Sequence, residues 1–448
     1  MIIAAEGIPN DLAAEELYPK SREVINGLKS HGVNVISYSC DGTEVERCVQ
    51  DLLVTRATNW VTHMIPDPED NHRHEIQIPV YRHSPVAMIQ DSKHVAKTLR
   101  NNLFSGARAL VLGNHLATYS YVRDMAFSAL PGCPLYHRDV DKLDRQDDNA
   151  ATRLFSAEAL DFVVNQFPDR LGLIVFLFVM GEVVDAYQSR TISHLERIKM
   201  VLRCRYFLRL WRRFLNAAGY PKARYFISRE ANDILDKLTD GLIGLIYIYR
   251  DHLGHEQRYP LLPWLHSTET CEHVFAECRK LVKDFTHLNF LHMVPRLHAL
   301  IRAASMFSKG TNPRAQAMGY SHSYLDSENA CIKSLASYPT DGEIALAVGE
   351  SWEEAVSLLG LLGIQVDDLS NSSTADPTGR PPTPPNPDEA DEVNEENEDQ
   401  ENSAIVLQRL ASIQQSVGWR AVDPEDKEKV HMLTFAALSL EIEERRKL

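Results

Sequence analysis

The sequence lacks the features that mark secreted and membrane-spanning proteins. Its seven cysteines are odd in number and include no CxxC pair, which argues against a disulfide framework and for reduced thiols inside a cell. The longest apolar runs, at 171–181 and 241–249, are shorter than the roughly 20 residues that cross a bilayer. No basic stretch follows Met1. We therefore expect an intracellular protein without a signal peptide or a transmembrane segment.

Several enzyme signatures are missing too. The chain has no Gly-rich phosphate-binding loop, no GxSxG nucleophile motif and no internal repeat, so the usual sequence signs of P-loop proteins, α/β-hydrolases and solenoids are absent. What the chain does have is the composition of a globular protein, with 44% apolar and 24% charged residues. Its 448 residues are enough for two or three domains.

Charge is unevenly distributed along the chain. The net charge is −15, but residues 367–401 alone contain twelve acids and one base, a net of −11. The rest of the chain therefore carries only −4. Within it, residues 190–224 hold ten Lys or Arg and one acid, a net of +9. The acidic net charge therefore conceals a strongly basic segment. Because of this segment, the net charge does not argue against a nucleic-acid partner.

Two acids far apart in the sequence stand at the ends of predicted elements. Residues 33–40 read as a strand that ends at Asp41, and a helix that starts near Ser267 or Thr268 carries Glu272. Carboxylates at strand and helix ends can bind two Mg²⁺ or Mn²⁺ ions. A pair of such ions can assist the cleavage or transfer of a phosphodiester. The alternative for Glu272 is a solvated acid on a surface helix.

A second strand–helix pair follows the first. The strand at 85–89 leads into Asp91 and the helix at 95–103, and this alternation predicts parallel strands in an α/β layer. Asp91 and His94, one turn apart, either support a metal site from behind its ligands or cap the helix. Capping is the favoured interpretation. Residues 55–84, rich in His, Pro and Asp, are predicted to be a loop with solvated histidines.

From residue 111 to about 249 strand signals nearly vanish, so we predict an all-helical insertion with helices at 115–129, 148–166, 170–187, 192–217, 228–238 and 240–251. Its longest helix carries the basic segment. The arginines expected to share one broad face are Arg197, Arg205, Arg209, Arg212 and Arg213. The functional interpretation is a surface that contacts nucleic-acid phosphates, with Tyr206 and Trp211 near enough to stack. The alternative is a charged solvent face neutralised by acids.

Three segments together resemble one protein family. They are Asp41-Gly42-Thr43, residues 91–103 with their Lys-x-x-Arg-Asn pattern, and residues 271–275 with Glu-x-x-Phe. They resemble the DDE transposases of the P-element and hAT type. In that family an Asp-Gly or Asp-Asn turn carries the second catalytic Asp, and a Glu-x-x-Phe helix carries the last Glu. An all-α insertion between strand and Glu helix is also the layout of the family.

The resemblance implies an RNase H-like core and metal-dependent DNA strand cleavage and transfer. It makes Asp41 and Glu272 the catalytic acids, and Asp41, Glu272 and Asp91 the ligands of Mg²⁺ or Mn²⁺, with His94 in support. The segment 181–190 resembles one that is associated with guanine nucleotides, which would assign Asp185 to GTP, although Val184 replaces the family's aromatic residue. DNA would be the partner and the nucleus the location, with the cytoplasm as the alternative.

The sequence also departs from the family pattern. The first catalytic Asp should precede the helix at 21–30 on a three-strand meander, and neither Glu6 nor Asp11 fits that position. We therefore expect an N-terminally truncated, domesticated or remnant transposase that binds DNA and is inactive as this chain. The alternative is a non-enzymatic helical scaffold or interaction protein that binds nucleic acid or protein partners.

The expected fold is mixed and predominantly α, with a small truncated RNase H-like α/β layer and a large all-α insertion. Residues 366–403, acidic and rich in Pro, Asn and Ser, are expected to form a disordered linker that can attract a protein partner. The expected domains are a partial core at 1–110, the insertion at 111–262, a helical return carrying Glu272 at 263–365, the linker at 366–403 and C-terminal helices at 404–448.

Overall fold

The computed structural model describes residues 12–69, 73–105, 108–141, 144–253, 259–307, 331–366 and 369. Over these ranges the protein is predominantly α-helical with a small β portion, which confirms the expected fold class at that level. The predicted acidic linker, apart from Val366 and Leu369, and the C-terminal helices lie outside the described residues, as do Glu6 and Asp11.

In chain order, the α-helices of the described ranges are α1 Ala14–Ser30, α2 Glu44–Thr55, α3 Ser92–Phe104, α4 Tyr119–Ala126, α5 Arg138–Asp141, α6 Asp148–Leu154, α7 Ala157–Gln166, α8 Leu171–Gln188, α9 His194–Ala217, α10 Lys222–Tyr225, α11 Arg229–Asp251, α12 Glu269–Leu281, α13 His287–Phe307, α14 Ile332–Leu335 and α15 Asp341–Leu361. The strands are β1 Ser37–Cys40, β2 Trp60–Pro66, β3 Arg73–Tyr81, β4 Ser84–Pro85, β5 Ala87–Gln90, β6 Leu110–Leu112 and β7 His115–Ala117.

The chain forms two compact units whose residues alternate along the sequence. Among the described residues, unit 1 takes those within 1–95, 185–201 and 234–348, and unit 2 takes the others. The domain boundaries expected from the sequence, at 110 and 262, do not coincide with these units. Composition and periodicity mark where elements end, but which elements pack into one unit depends on contacts between distant residues.

In unit 1, β1 and β5 pair in parallel, with Ser37 opposite Ala87 and Cys40 opposite Gln90. This confirms the parallel pairing expected from the strand–helix alternation. The amide of Gln50, on α2, donates to the Tyr38 carbonyl at 3.2 Å and to the Ile89 carbonyl at 2.8 Å. A buried polar group satisfied in this way ties the helix to both strands.

The prediction of a loop at 55–84 was wrong. Strands β2 and β3 form an antiparallel hairpin there, with Trp60 opposite Pro79. Ile65, Ile76 and Ile78 are buried, and the alternation at Ile76 and Ile78 is the period-2 signal of a strand. Flanking His, Pro and charged residues obscured this signal.

Two histidines of this hairpin pack against α11 rather than lying in solvent. The His63 ring stacks on Tyr247 with ring centroids 3.7 Å apart. His74 Nε2 lies 2.8 Å from Asp240 Oδ1. The interpretation of both side chains as solvated loop histidines was therefore wrong, because the hairpin lies against a helix more than 160 residues further along the chain.

Helix α11 is continuous from Arg229 to Asp251, where the sequence suggested two helices. A Cβ added at Gly241 would lie 2.7 Å from both Ile89 Cδ1 and the Met88 carbonyl oxygen. The glycine therefore allows close approach of the helix to β5 and does not end it.

In unit 2, residues 110–117 form the β6–β7 hairpin, with Leu110 opposite Ala117. The helix predicted to begin at 115 begins instead at Tyr119, because Gly113, at φ +60°, allows a tight turn between two short strands.

Helix α8 is the one helix in the described ranges that is long and apolar enough to span a membrane. Its observed bounds, Leu171–Gln188, agree with the helix predicted at 170–187 to within one residue at each end. Because 89% of that segment is buried inside the protein, its apolar residues are accounted for by packing in the core.

Candidate acidic site

Asp41 and Asp91 each follow one strand of the parallel pair. The backbone N–H of Asp91 donates to the Cys40 carbonyl at 3.1 Å, so the two acids come at adjacent strand ends. This confirms that Asp91 lies on the strand next to that of Asp41. The carboxyl ends of parallel strands meet at one edge of a sheet, where α/β proteins commonly place functional groups.

Both carboxylate oxygens of Asp91 accept hydrogen bonds from the protein. Oδ1 accepts from the backbone N–H groups of Lys93 at 2.7 Å and His94 at 3.4 Å. Oδ2 accepts from the Thr268 backbone N–H at 2.9 Å and from the Thr268 hydroxyl at 2.7 Å. The side chain is buried, with 2% of the residue exposed. These bonds support the interpretation of Asp91 as the cap of α3.

Helix α12 is joined to the start of α3 by a second contact. Glu269 is buried, and its Oε1 lies 2.8 Å from Lys93 Nζ. His273, one turn further along α12, approaches the same oxygen at 3.9 Å. A buried carboxylate with a cationic partner 2.8 Å away is a positioned contact, unlike a solvated surface pair.

The start of α12 lies where the sequence placed it, and of the two expected capping residues it is Ser267 whose hydroxyl accepts, from the Glu269 N–H at 3.3 Å. The helix begins at Glu269, and the Thr268 side chain makes no capping bond to it. The Thr268 hydroxyl donates to Asp91 instead. Glu272, one turn further on, is half-buried and belongs to the same unit as Asp41. Pairing of Asp41 with Glu272 stays a prediction.

Asp41 has a different environment from Asp91. Its side chain is 47% exposed, and Oδ1 lies 3.3 Å from His94 Nδ1. Gly42 has φ +93°, and a Cβ added there would lie 3.0 Å from the His94 ring. The Asp-Gly turn therefore needs glycine on two counts, backbone conformation and space. His94 therefore contacts Asp41 directly, and its expected supporting role at a metal site stays a prediction.

A divalent metal does not fit Asp91 as a ligand. Mg²⁺ and Mn²⁺ bind carboxylate oxygens through lone pairs, and those of Asp91 already receive four hydrogen bonds from the protein. The described ranges also contain no group of three or more His, Cys, Asp or Glu side chains arranged to hold a metal ion. The metal role expected for Asp91 is therefore not supported by its contacts, and roles for Asp41 and Glu272 stay predictions.

Sequence reasoning missed three residues of this site, namely Lys93, Thr268 and Glu269. The local signals were present, since Lys93 lies in the first turn of α3 and Glu269 in the first turn of α12. Periodicity shows where each helix starts, but it does not show that the two starts meet. A Thr268–Asp91 hydrogen bond joins residues 177 positions apart.

The predicted arginine face of α9 is only partly exposed. Arg197 and Arg205 are buried, Arg209 and Arg212 are half-buried and Arg213 is exposed. The expectation that Arg197 and Arg205 lie on an open surface was therefore wrong. The helix has large apolar residues on several sides and is packed around much of its circumference.

The aromatic residues proposed to stack on bases are buried as well. The indole N–H of Trp211 donates to the Val111 carbonyl at 2.6 Å. Tyr206 packs edge-on against Trp352, with ring centroids 5.6 Å apart. Both side chains are part of the core of unit 2, so the stacking role was wrong.

Arg197 is bound by backbone carbonyls near Asp185. Its guanidinium donates to the Ala186 carbonyl and, at 2.8 Å, to the Ser189 carbonyl. Burial, with a smaller contribution from Arg190, lowers the pKa of Arg197 to about 9, and Asp185 opposes this shift. Asp185 therefore takes part in a charge cluster with these arginines. Its role in guanine-nucleotide binding stays a prediction.

A buried ion pair in unit 2 was also missed. Arg203 is paired with Glu182, and both side chains are almost fully buried, with 2% and 1% exposed. Arg203 Nε also donates to Glu354 at 2.7 Å. Because Glu182 lies within a long apolar run, its charge requires a partner in the core.

Comparison with known proteins adds little beyond this geometry. No family model matches the chain, and no curated protein matches it. A solved structure entitled "Drosophila P element transposase strand transfer complex" is similar over part of its backbone, with a TM-score of 0.43 and 15% sequence identity. The overlap covers 62% of this chain and 62% of that one. At this similarity it assigns no residue and no activity.

Proposed function

We propose that this chain is a transposase-derived DNA-binding protein in which a partial RNase H-like core serves as a scaffold and does not catalyse strand cleavage or transfer. Support comes from the resemblance of three sequence segments to P-element and hAT transposases. Further support comes from the parallel β1–β5 pair, with acids at adjacent strand ends and the α12 start beside one of them.

The observation that carries the non-catalytic proposal is the hydrogen bonding of Asp91. In-line displacement at a phosphodiester by two metal ions needs carboxylates that hold and bridge both ions. Asp91 is committed to four donors on α3 and α12, and metal binding would require at least some of these bonds to break. Asp41 and Glu272 then remain as two acids where the chemistry needs three.

The DNA-binding part rests on charge distribution. Residues 197–229 contain ten Lys or Arg and no Asp or Glu. The exposed cations of such a segment attract phosphates, with an affinity that falls steeply with salt. The acidic segment at 367–401, with its net charge of −11, can compete with DNA for such a surface. Deleting it should therefore raise DNA affinity.

Single-turnover nicking of labelled DNA with Mn²⁺ tests the non-catalytic proposal. The chain is compared with its Asp41→Asn and Glu272→Gln variants, and we expect no cleavage by any of the three. Cleavage by the unmodified chain that both substitutions abolish would show that the acids are catalytic. Salt-dependent retention of the same DNA tests the binding proposal separately.

A protein-interaction function is the second candidate, because α12 and α13 leave large apolar side chains in solvent. Phe275, Leu288 and Leu291 are exposed, although Phe290 and Leu297 of the same helix pair are buried. Exposed apolar groups of this kind mark interaction sites. Leu288→Glu with Leu291→Glu should reduce self-association in sedimentation velocity if this surface joins copies of the chain. Unchanged self-association would show that this surface does not join copies of the chain.

A further inference from the structure

The basic segment divides into a buried part and an exposed part. Along α9 the arginines up to Arg205 are inside the protein, and exposure begins near the end of the helix. Beyond it, Arg213, Lys222, Arg224 and Arg229 are all exposed. The last three of these residues, Lys222, Arg224 and Arg229, form what we call the α9–α11 corner. They lie on α10 and at the first position of α11, within unit 2.

Buried aromatic contacts hold the α9–α11 corner in place. The Phe226 ring, directly after α10, packs edge-on against Trp211 at 4.5 Å between centroids. The half-buried Tyr220, just before α10, and Tyr225, its last residue, pack edge-on with ring centroids 5.2 Å apart. The Arg224 carbonyl accepts a hydrogen bond from the Ala109 N–H at 2.9 Å. The exposed cations therefore project from an anchored segment, which limits the entropy lost on binding.

The cations of the corner are poorly neutralised. The structure shows no ion pair between Lys222 or Arg224 and any acid of the described ranges. Arg229 forms an i,i+4 pair with Asp233 on α11 at 3.8 Å, but the Arg229 side chain is 87% exposed, so this pair is weak. By contrast, the half-buried Arg212 donates to Asn232 and lies over the Phe226 ring. Arg212 is thus used in packing, whereas the corner faces solvent.

Helix stability does not account for these positions. A cation is unfavourable at a helix N-terminus, where the macrodipole is positive, yet Arg229 is the first residue of α11. Lys222 and Arg224 lie on a four-residue helix after the end of α9. Since each position gains little from its own helix, a ligand of opposite charge gives a better reason for the cluster.

We propose that the α9–α11 corner contacts the phosphate backbone of a DNA duplex. This inference rests on the proposed DNA-binding function and names its surface. Tyr220 and Tyr225 are half-buried and pack on each other, so base stacking of the kind used for single strands is disfavoured relative to backbone contacts. Contacts of this kind position a protein without reading the sequence.

The test is fluorescence anisotropy of a labelled duplex with the full chain at several salt concentrations. The variant Lys222→Gln, Arg224→Gln, Arg229→Gln removes three charges. We expect its slope of log affinity against log salt to be shallower by about 2 to 3, because each phosphate contact contributes roughly 0.9 to the slope. Affinity at low salt should fall at least about tenfold.

A matched control removes three exposed cations of unit 1, by Arg22→Gln, Arg73→Gln and Lys283→Gln. Its slope should stay close to that of the unmodified chain. If the corner variant misfolds by circular dichroism, Lys222→Gln with Arg224→Gln tests the same surface, with an expected slope change of about 2.

The outcomes separate this inference from the function it rests on. The unmodified chain could bind the duplex while the corner and control variants show equal salt slopes. That result would overturn the assignment of the phosphate contacts to the corner and would leave the proposed DNA binding intact. No duplex binding by the unmodified chain would overturn both. The same labelled strand without its complement is measured in parallel, and a loss of affinity by the corner variant for this single strand alone would overturn the choice of a duplex.

Discussion

Asp91 in unit 1 and Arg203 in unit 2 bury a charge in two different ways. Asp91 is surrounded by neutral donors, three backbone N–H groups and one hydroxyl. Arg203 is paired with carboxylates, and its partner Glu182 is as deeply buried as itself. A carboxylate at a helix start needs no second charge, since the helix terminus supplies free donors and a positive dipole. Arg203, in the middle of α9, gains nothing of this kind from its own helix and is instead paired with carboxylates of α8 and α15.

This difference explains why sequence reasoning treated the two regions unequally. The acid stood at a predicted helix start, where a cap was a natural interpretation. The buried arginines of α9 had no local sign of their partners, and their number suggested a surface instead. Charge near an element end can be explained locally, but charge in the middle of a buried helix depends on other elements.

The largest effect should follow from removing the arginine of the buried pair. Arg203→Met leaves the Glu182 carboxylate in the core without its cation, and loss of one partner of such a pair costs about 3–5 kcal/mol. The unfolding midpoint in urea should fall accordingly. Glu182→Leu combined with Arg203→Met should cost less than Arg203→Met alone, because it removes both buried charges. A double variant as unstable as the single one would contradict the pairing.

A smaller effect should come from a buried group that is neutral when folded. His194 donates through Nε2 to the Leu335 carbonyl at 2.8 Å, and burial lowers its pKa to about 4 from 6.5. Between these values the unfolded chain binds more protons than the folded one. Stability contributed by His194 is therefore complete above pH 6.5 and is lost as the pH falls to 4, by about 1.4 kcal/mol per pH unit.

Urea unfolding at pH values from 4 to 7 measures this dependence. His194→Gln can keep a side-chain donor for Leu335 but does not titrate, so its stability should fall less steeply with decreasing pH than that of the unmodified chain. Identical slopes for the two chains would mean that His194 is not held neutral by its surroundings.

The smallest effects compare the two strand-end acids directly. Asp91→Asn replaces one acceptor oxygen by a donor, which conflicts with donors on α3 or α12, and should cost roughly 1–3 kcal/mol. Asp41→Asn alters a half-exposed contact with His94 and should cost less than about 1 kcal/mol. Urea midpoints measure both, and hydrogen exchange at the Thr268 amide should quicken only in Asp91→Asn. Equal destabilisation by the two variants would remove the distinction between the acids.

Much of the local structure could be predicted from the sequence. Periodicity located α3, α8, α9 and α12 to within a few residues, and the strand–helix alternation predicted the parallel strands that place Asp91 beside the Asp41 strand. The β2–β3 hairpin was missed because charged, histidine and proline residues outnumber its few buried apolar ones. A break was predicted in α11 because glycine on average destabilises a helix. In the structure Gly241 lies within the continuous helix, where its lack of a side chain allows α11 to pack closely against β5.

The sequence by itself determined the predominantly helical class, the ends of the main elements and the acid at the start of α3. These depend on interactions between residues a few positions apart, so that period, capping groups and charge are sufficient signals. Tertiary structure alone decided that Thr268 and Glu269 meet the start of α3 and that Arg197 and Arg205 are buried. It also decided that Arg203 is paired with Glu182. Those outcomes depend on which elements pack against each other and exclude water between them. The residues that meet are far apart in the sequence, and the residues next to each of them give no sign of which partner it will contact.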